Sequence, residues 1–135
     1  MAGYSGTPLI QKLGLKPGMK ALFVHAPRGY DATLGPLPAG VRRVAAVRRP
    51  LDFVQCFVTG RAALEARFAR LAAALAPAGM LWISWPKQAA NVATDLTEDK
   101  VREVGLAHGL VDVKVCAVDE TWSGLKFVRR LKDRS

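Results

Sequence analysis

The run MLWISW, residues 80–85, restricts the fold of this chain more than any other segment. It is apolar without alternation, as expected for a strand covered on both faces, and such strands belong to mostly parallel sheets. The stretch before it, TGRAALEARFARLAAALAPAG, reads as a helix. Leu64, Phe68, Leu71 and Leu75 make one apolar stripe, and Arg61, Glu65, Arg67 and Arg70 fall largely on the other side. Thr59 is placed to cap its start, and Pro77 with Gly79 to end it.

The remaining elements follow the same alternation. MKALFVHA is a first strand bounded by Pro17-Gly18 and Pro27. PRGYDATLGPLPAG carries enough proline and glycine to limit any helix there to a turn or two. VRRVAAVR could be a second strand, and FVQCFV is one rich in β-formers. Thr97 opens a helix, TEDKVREVGLAHG, with Glu98 and Asp99 in its first turn, His108 near its end and Gly109 as its C-cap. LVDVKVCAVD and LKFVRRL are two strands joined by ETWSG, of hairpin length. Residues 1–18 read as a lead-in, with a helical turn at TPLIQKLG ended by Gly14.

This order predicts a single-domain α/β fold over residues 1–135. It is Rossmann-like, with a mostly parallel sheet, helices on both faces and a C-terminal antiparallel hairpin. One feature resists it. Only RPLD separates the second strand from the third, whereas a parallel crossover needs about a dozen residues. Residues 43–48 therefore either run antiparallel at an edge or form no strand.

Composition bounds the partners. Twenty Lys and Arg against 11 Asp and Glu leave a net charge of +9, which attracts phosphates, nucleic acid or acidic partners over a Debye length of roughly 8–10 Å. The abundance of arginine and alanine leaves compositional bias as the other source of that charge. Cys56 and Cys116 both sit in apolar runs and read as reduced core thiols. No zinc spacing and no phosphate-loop lysine motif occurs. MAGYSGTPLIQK holds no continuous apolar block, and the longest uncharged run, between Arg70 and Lys87, is too short to span a bilayer. A soluble, cytoplasmic protein without a membrane partner is the expectation.

The order of elements resembles the catalytic core of class I S-adenosylmethionine-dependent methyltransferases, which end in a similar hairpin with the last strand inserted antiparallel. LGLKPGMKALFV and RLAAALAPAGMLWISWPK carry the local likeness. The phrases YSGTPL, GPLP, WPK, ATDLTE and GLVDVKVCAVDETWSGLKFV resemble a family of small bacterial proteins known only as a domain of unknown function. That resemblance implies a methyltransferase-like fold and no particular activity.

Laid on the methyltransferase pattern, the acidic position of the first strand is Phe23, and the glycine positions are His25, Pro27 and Gly29. Glycine serves there for tight φ angles and for close approach of the cofactor, and only Gly29 is kept. The carboxylate expected at the end of the second strand is replaced by Arg48 and Arg49, which favour phosphate over a diol. The sequence thus predicts no cofactor and disfavours S-adenosylmethionine in the usual pose.

Ligands of open α/β sheets lie beyond the carboxyl ends of the strands. His25, Arg28, Arg48, Trp85, Lys87, Asn91 and Asp95 are expected to collect there as a rim for an anionic, phosphate- or nucleotide-like ligand or a nucleic acid, with Trp85 stacking on a base. The alternative for Trp85 is a core residue that ends its strand. Asp119, Glu120 and Trp122 form a second cluster that either docks a partner or is structural. The structural reading, with Trp122 folded on the sheet and an unusual φ at Gly124, is favoured. The basic tail LKFVRRLKDRS is either a phosphate-tracking stripe or, as favoured, a solvated end. No catalytic residue is assigned. The leading reading is a non-catalytic or degenerate binding protein. The alternatives are a divergent S-adenosylmethionine-dependent methyltransferase and a protein-interaction module.

Overall fold

The computed structural model describes residues 7–134, so the first six residues of the lead-in and Ser135 lie outside the described residues. The strands are β1 (Lys20–Val24), β2 (Arg42–Val44), β3 (Leu51–Phe57), β4 (Leu75–Pro86), β5 (Leu110–Ala117) and β6 (Trp122–Arg129). The α-helices are α1 (Leu9–Leu13), α2 (Tyr30–Leu34), α3 (Arg61–Ala73) and α4 (Glu98–Ala107). All six strands join one sheet in the order β2-β1-β3-β4-β6-β5. β2, β1, β3 and β4 run parallel, and β6 is antiparallel to both of its neighbours. The Rossmann-like sheet with a terminal hairpin is therefore formed, and its antiparallel strand lies inside the sheet between β4 and β5.

Alternation along MLWISW sends its side chains to two cores. Leu81, Ile83 and Trp85 face α3 and α4, packing with Leu64, Phe68, Leu71, Val101 and Val104. Met80 and Trp82 face the other way, toward Leu13 of α1 and Tyr30 and Leu34 of α2. Burying each such side chain is worth roughly 1.5–3 kcal/mol, which is why the run tolerates no charge. Trp82 satisfies its one polar atom by donating from Nε1 to the Leu13 carbonyl at 2.8 Å. α4 sits close on the sheet because Gly105 has no Cβ: the Phe127 ring occupies that space.

The capping residues differ in part from expectation. Thr97 caps α4 as predicted, accepting from the Lys100 amide at 3.3 Å. At α3 the N-cap is Gly60, without a side-chain bond of its own, and Asp95 Oδ1 accepts from the Arg61 amide at 2.8 Å. Thr59 is not the cap; a carboxylate from the loop before α4 takes that place. Pro77 and Gly79 do not end α3, which stops at Ala73. They lie within β4, where the pairing register shifts between Leu51–Leu75 and Phe53–Met80. Arg129 donates to the carbonyls of Ala72, in the last turn of α3, and Leu75, at the start of β4, at 2.9 and 3.0 Å, tying β6 to the helix end.

The second strand is the main correction. β2 holds three residues and runs parallel to β1, with Lys20–Arg42, Ala21–Arg43 and Leu22–Val44 as partners. Residues 45–50 then return across β1 to the start of β3, with Val47 packing on the α3 side. So short a return suffices because β2 pairs only with the amino-terminal part of β1. The path from β1 to β2 uses the opposite face, through α2. Reversing both the direction across the sheet and the face keeps a right-handed sense for both crossovers. Both cysteines are free; Cys56 is fully buried and Cys116 half-buried, so only the first is a core thiol. Among the described residues no helix is long and apolar enough to cross a membrane.

Candidate functional site

The chain leaves β1 toward β2 on one side and continues from β3 toward β4 on the other, so the topological switch point lies between β1 and β3. The turn after β1 opens there. His25 takes φ 55°, a left-handed conformation that non-glycine residues rarely adopt, and Gly29 takes φ 83°. Nothing lies within 4 Å of the place where a Cβ on Gly29 would stand. The Tyr30 amide donates to the Pro27 carbonyl at 3.1 Å, closing the turn into α2. The turn thus holds a left-handed backbone, which glycine favours, at a histidine.

Beside the turn is a crevice of about 210 Å³ lined by Val24, His25, Val47, Ala66, Arg67, Arg70 and Leu71. It exists because no helix follows β2, so only residues 45–50 cover this part of the sheet. Its wall is apolar and its mouth basic; neither Arg67 nor Arg70 takes part in the ion pairs among the described residues. On the other face of β1, Arg43 donates to Asp31 at 2.9 Å while its guanidinium lies 4.7 Å from the Phe23 ring centroid. This places a carboxylate near the β1 turn, carried by the first turn of α2.

The predicted rim is only partly assembled. His25 and Arg28 are exposed on the β1 turn. Arg48 is not at the end of the second strand, which closes at Val44. It lies in the return toward the amino end of β3, so no arginine replaces a strand-end carboxylate. Trp85 is 5% exposed within the α3–α4 core, and its ring is not offered for stacking. Lys87 is at the carboxyl end of β4, where Nζ donates to the Asp119 carbonyl at 2.7 Å and the amide to Thr121 at 2.8 Å. Asn91 is exposed with φ 56°, and Asp95 is engaged in capping α3.

In the second cluster, Asp119 Oδ1 accepts from the Thr121 and Trp122 amides, each at 2.8 Å, while Glu120 is exposed. Trp122 packs edge-on against Phe57, their centroids 5.1 Å apart. Gly124 has no positive φ. It is needed because the Trp82 ring would stand 3.1 Å from a Cβ there.

Comparison with known proteins sharpens this picture. The chain covers 90% of itself and 86% of the precorrin-6y C5,15-methyltransferase of Geobacter metallireducens, at 14% identity and a TM-score of 0.61. It matches 96% of itself to 91% of a TehB-like SAM-dependent methyltransferase of Corynebacterium glutamicum, at 14% identity and TM-score 0.57. Magnesium protoporphyrin IX methyltransferase of Synechocystis, with bound SAM, matches over 90% of this chain and 74% of its own, at 13% identity and TM-score 0.57. The fold is that of the S-adenosylmethionine-dependent methyltransferases. No family model and no curated protein matches the chain.

The expectation of no cofactor is overturned by these neighbours. The Synechocystis enzyme superposes on this chain both with SAM and with SAH bound. Glycine is missing at His25 and Pro27 by side chain, yet the backbone at His25 takes the left-handed conformation that glycine favours. Arg67 and Arg70 line the crevice on the α3 face of β1, and Asp31 stands beside the turn on the α2 face. The sequence signal for the arginines was their spacing of three on α3; for Asp31 no signal fixed a partner.

Proposed function

We propose that this protein is a divergent S-adenosylmethionine-dependent methyltransferase whose donor site is the β1 turn and the adjoining crevice. The observation that carries this reading is the left-handed backbone at His25, at the switch point of a methyltransferase fold. The residues present fit the donor. The open space over Gly29 admits close approach to the backbone. Asp31, beside the turn on the α2 face, would supply the acceptor that a ribose diol requires, and Val24, Val47 and Leu71 of the crevice would give an apolar wall for a base. His25 and Arg28, exposed on the turn, would offer donating and positive partners to a carboxylate end group.

When bound, the donor supplies a methyl group on a sulfonium, ready for transfer to a nucleophile. The protein's task is positioning and water exclusion, and no covalent step on its own side chains is needed. Arg43 holds the Asp31 carboxylate by its salt bridge and leaves the second carboxylate oxygen to a ligand. Isothermal titration with S-adenosylhomocysteine tests the reading. Saturable one-to-one binding is expected, weakened about tenfold (near 1.4 kcal/mol) in Asp31→Asn and in His25→Val, whose branched side chain resists positive φ. Absence of saturable heat with both S-adenosylhomocysteine and S-adenosylmethionine would refute it.

A further inference from the structure

The charge of this chain is not evenly spread. The carboxylates concentrate around α3 and α4, where Arg61 bonds Glu65 and Glu103, and Arg102 bonds Glu98, Asp99 and Asp112. The opposite face of the β5–β6 wing, against α1, is different. Lys114 of β5 and Lys126 of β6 are direct cross-strand partners, and like charges so placed repel. Lys16 lies near enough to add to that repulsion. Lys126 is also partly buried, close to Gly14 and the end of Met80; burial first, then Lys114 and Lys16, push its ammonium pKa down. None of these three lysines takes part in an ion pair among the described residues. The undescribed opening residues, MAGYSG, contain no acid.

The end of α1 explains one of these charges. Lys114 Nζ donates to the Lys12 carbonyl at 2.7 Å, a favourable place for a cation. A helix of five residues does not hold three. Among the described residues no carboxylate pairs with these three lysines to relieve the repulsion. The positive charge also continues: Lys12 Nζ donates to the Ala117 carbonyl at 3.3 Å, at the carboxyl edge of the sheet, and Lys87 stands at the end of β4 on that same edge. The ammonium groups thus run as a track from the sheet face to the edge that carries the β1 turn.

We infer that this track binds the phosphate backbone of a single-stranded nucleic acid, with Lys16, Lys114 and Lys126 as its phosphate contacts. The inference rests on the methyltransferase reading for its purpose, since a strand on the track would present a nucleotide at the donor edge. A linear polyanion matches a line of charges. A bilayer surface calls instead for apolar side chains able to enter it, and here Met80 and Trp82 beneath the lysines are buried.

Fluorescence anisotropy with a short labelled single-stranded RNA, and with DNA of the same sequence, tests this on the full-length protein. The Lys16→Gln/Lys114→Gln/Lys126→Gln variant is expected to bind about tenfold or more weakly, with its log-affinity against log-salt slope reduced by about 2. A control of equal charge loss, Arg130→Gln/Lys132→Gln/Arg134→Gln, keeps its affinity to within about twofold. Equal loss in both variants, no binding at low salt, or preferential binding of inorganic tripolyphosphate or phosphatidylserine vesicles overturns the inference. Should the triple variant fail to fold, lysine acetylation of the wild-type protein decides. Bound RNA must protect Lys16, Lys114 and Lys126 but not Lys100 or Lys132, and uniform protection counts against the track. S-adenosylhomocysteine binding without RNA binding sinks this inference alone, and the converse sinks only the methyltransferase reading.

Discussion

The Tyr30 hydroxyl donates to Gln55 Oε1 at 2.6 Å, and Gln55 Nε2 donates in turn to Ser84 Oγ at 3.1 Å. Gln55 and Ser84 are the buried polar residues of the core, and this chain of bonds is what makes them tolerable there. It also ties α2 to the centre of the sheet. Tyr30→Phe strands the Gln55 oxygen and is expected to cost about 1–3 kcal/mol in urea unfolding. A variant as stable as wild type would mean that the amide turns to another partner.

Gly105 lies directly against the Phe127 ring, which fills the place a Cβ would take. Gly105→Ala gains helix propensity of about 1 kcal/mol but forces the ring or the helix to move, and overpacking costs typically 1–3 kcal/mol. Net destabilisation is expected, and Gly105→Ala/Phe127→Leu should recover part of it. An alanine variant with a raised melting temperature contradicts the packing described.

Asp95 caps α3 from outside the helix. Asp95→Ala should cost about 1 kcal/mol, and Asp95→Asn, which keeps an acceptor oxygen, less. Equal losses in the two variants would point to the charge rather than the bond. The loss should also appear as faster amide exchange at Arg61.

Burial pushes the Cys56 thiol up from 9.0 to about 11, with the nearby Arg67 offsetting part of the effect. The folded state therefore keeps a proton that the unfolded chain releases, so stability falls as pH rises from about 9 to about 11. The loss is on the order of 2 kcal/mol. It should be absent in Cys56→Ala, giving that variant a flatter alkaline limb in urea melts. Parallel limbs for the two proteins would remove Cys56 as the cause.

The elements that the sequence made legible are those specified locally. The stripe from Leu64 to Leu75 marks α3, and Thr97 marks the start of α4. What was not legible depends on contacts distant in sequence. Asp95 reaches α3 across a whole strand, and Arg48 is displaced because β2 stops at Val44. For Trp85 the sequence offered both stacking and a core residue that ends its strand, and the core position under α3 and α4 is the one found. The pairing of Lys114 with Lys126 requires a register shift between Asp112 and Lys114 that no spacing announces. At His25 the side chain argued against a cofactor while the backbone argued for one, and composition reports only the former.

β2 is held to the rest of the sheet by three residue pairs on one side and, among the described residues, pairs with no strand on its outer edge; its side-chain fastenings are the Arg43 contacts to Asp31 and Phe23 and the packing of Val44 on the core. Such a strip is the first part of a sheet to peel under thermal motion. Because its neighbours are the β1 turn and the basic crevice, whatever settles there also clasps the strip. Amide protection at Arg42–Val44 should then report occupancy long before global unfolding does.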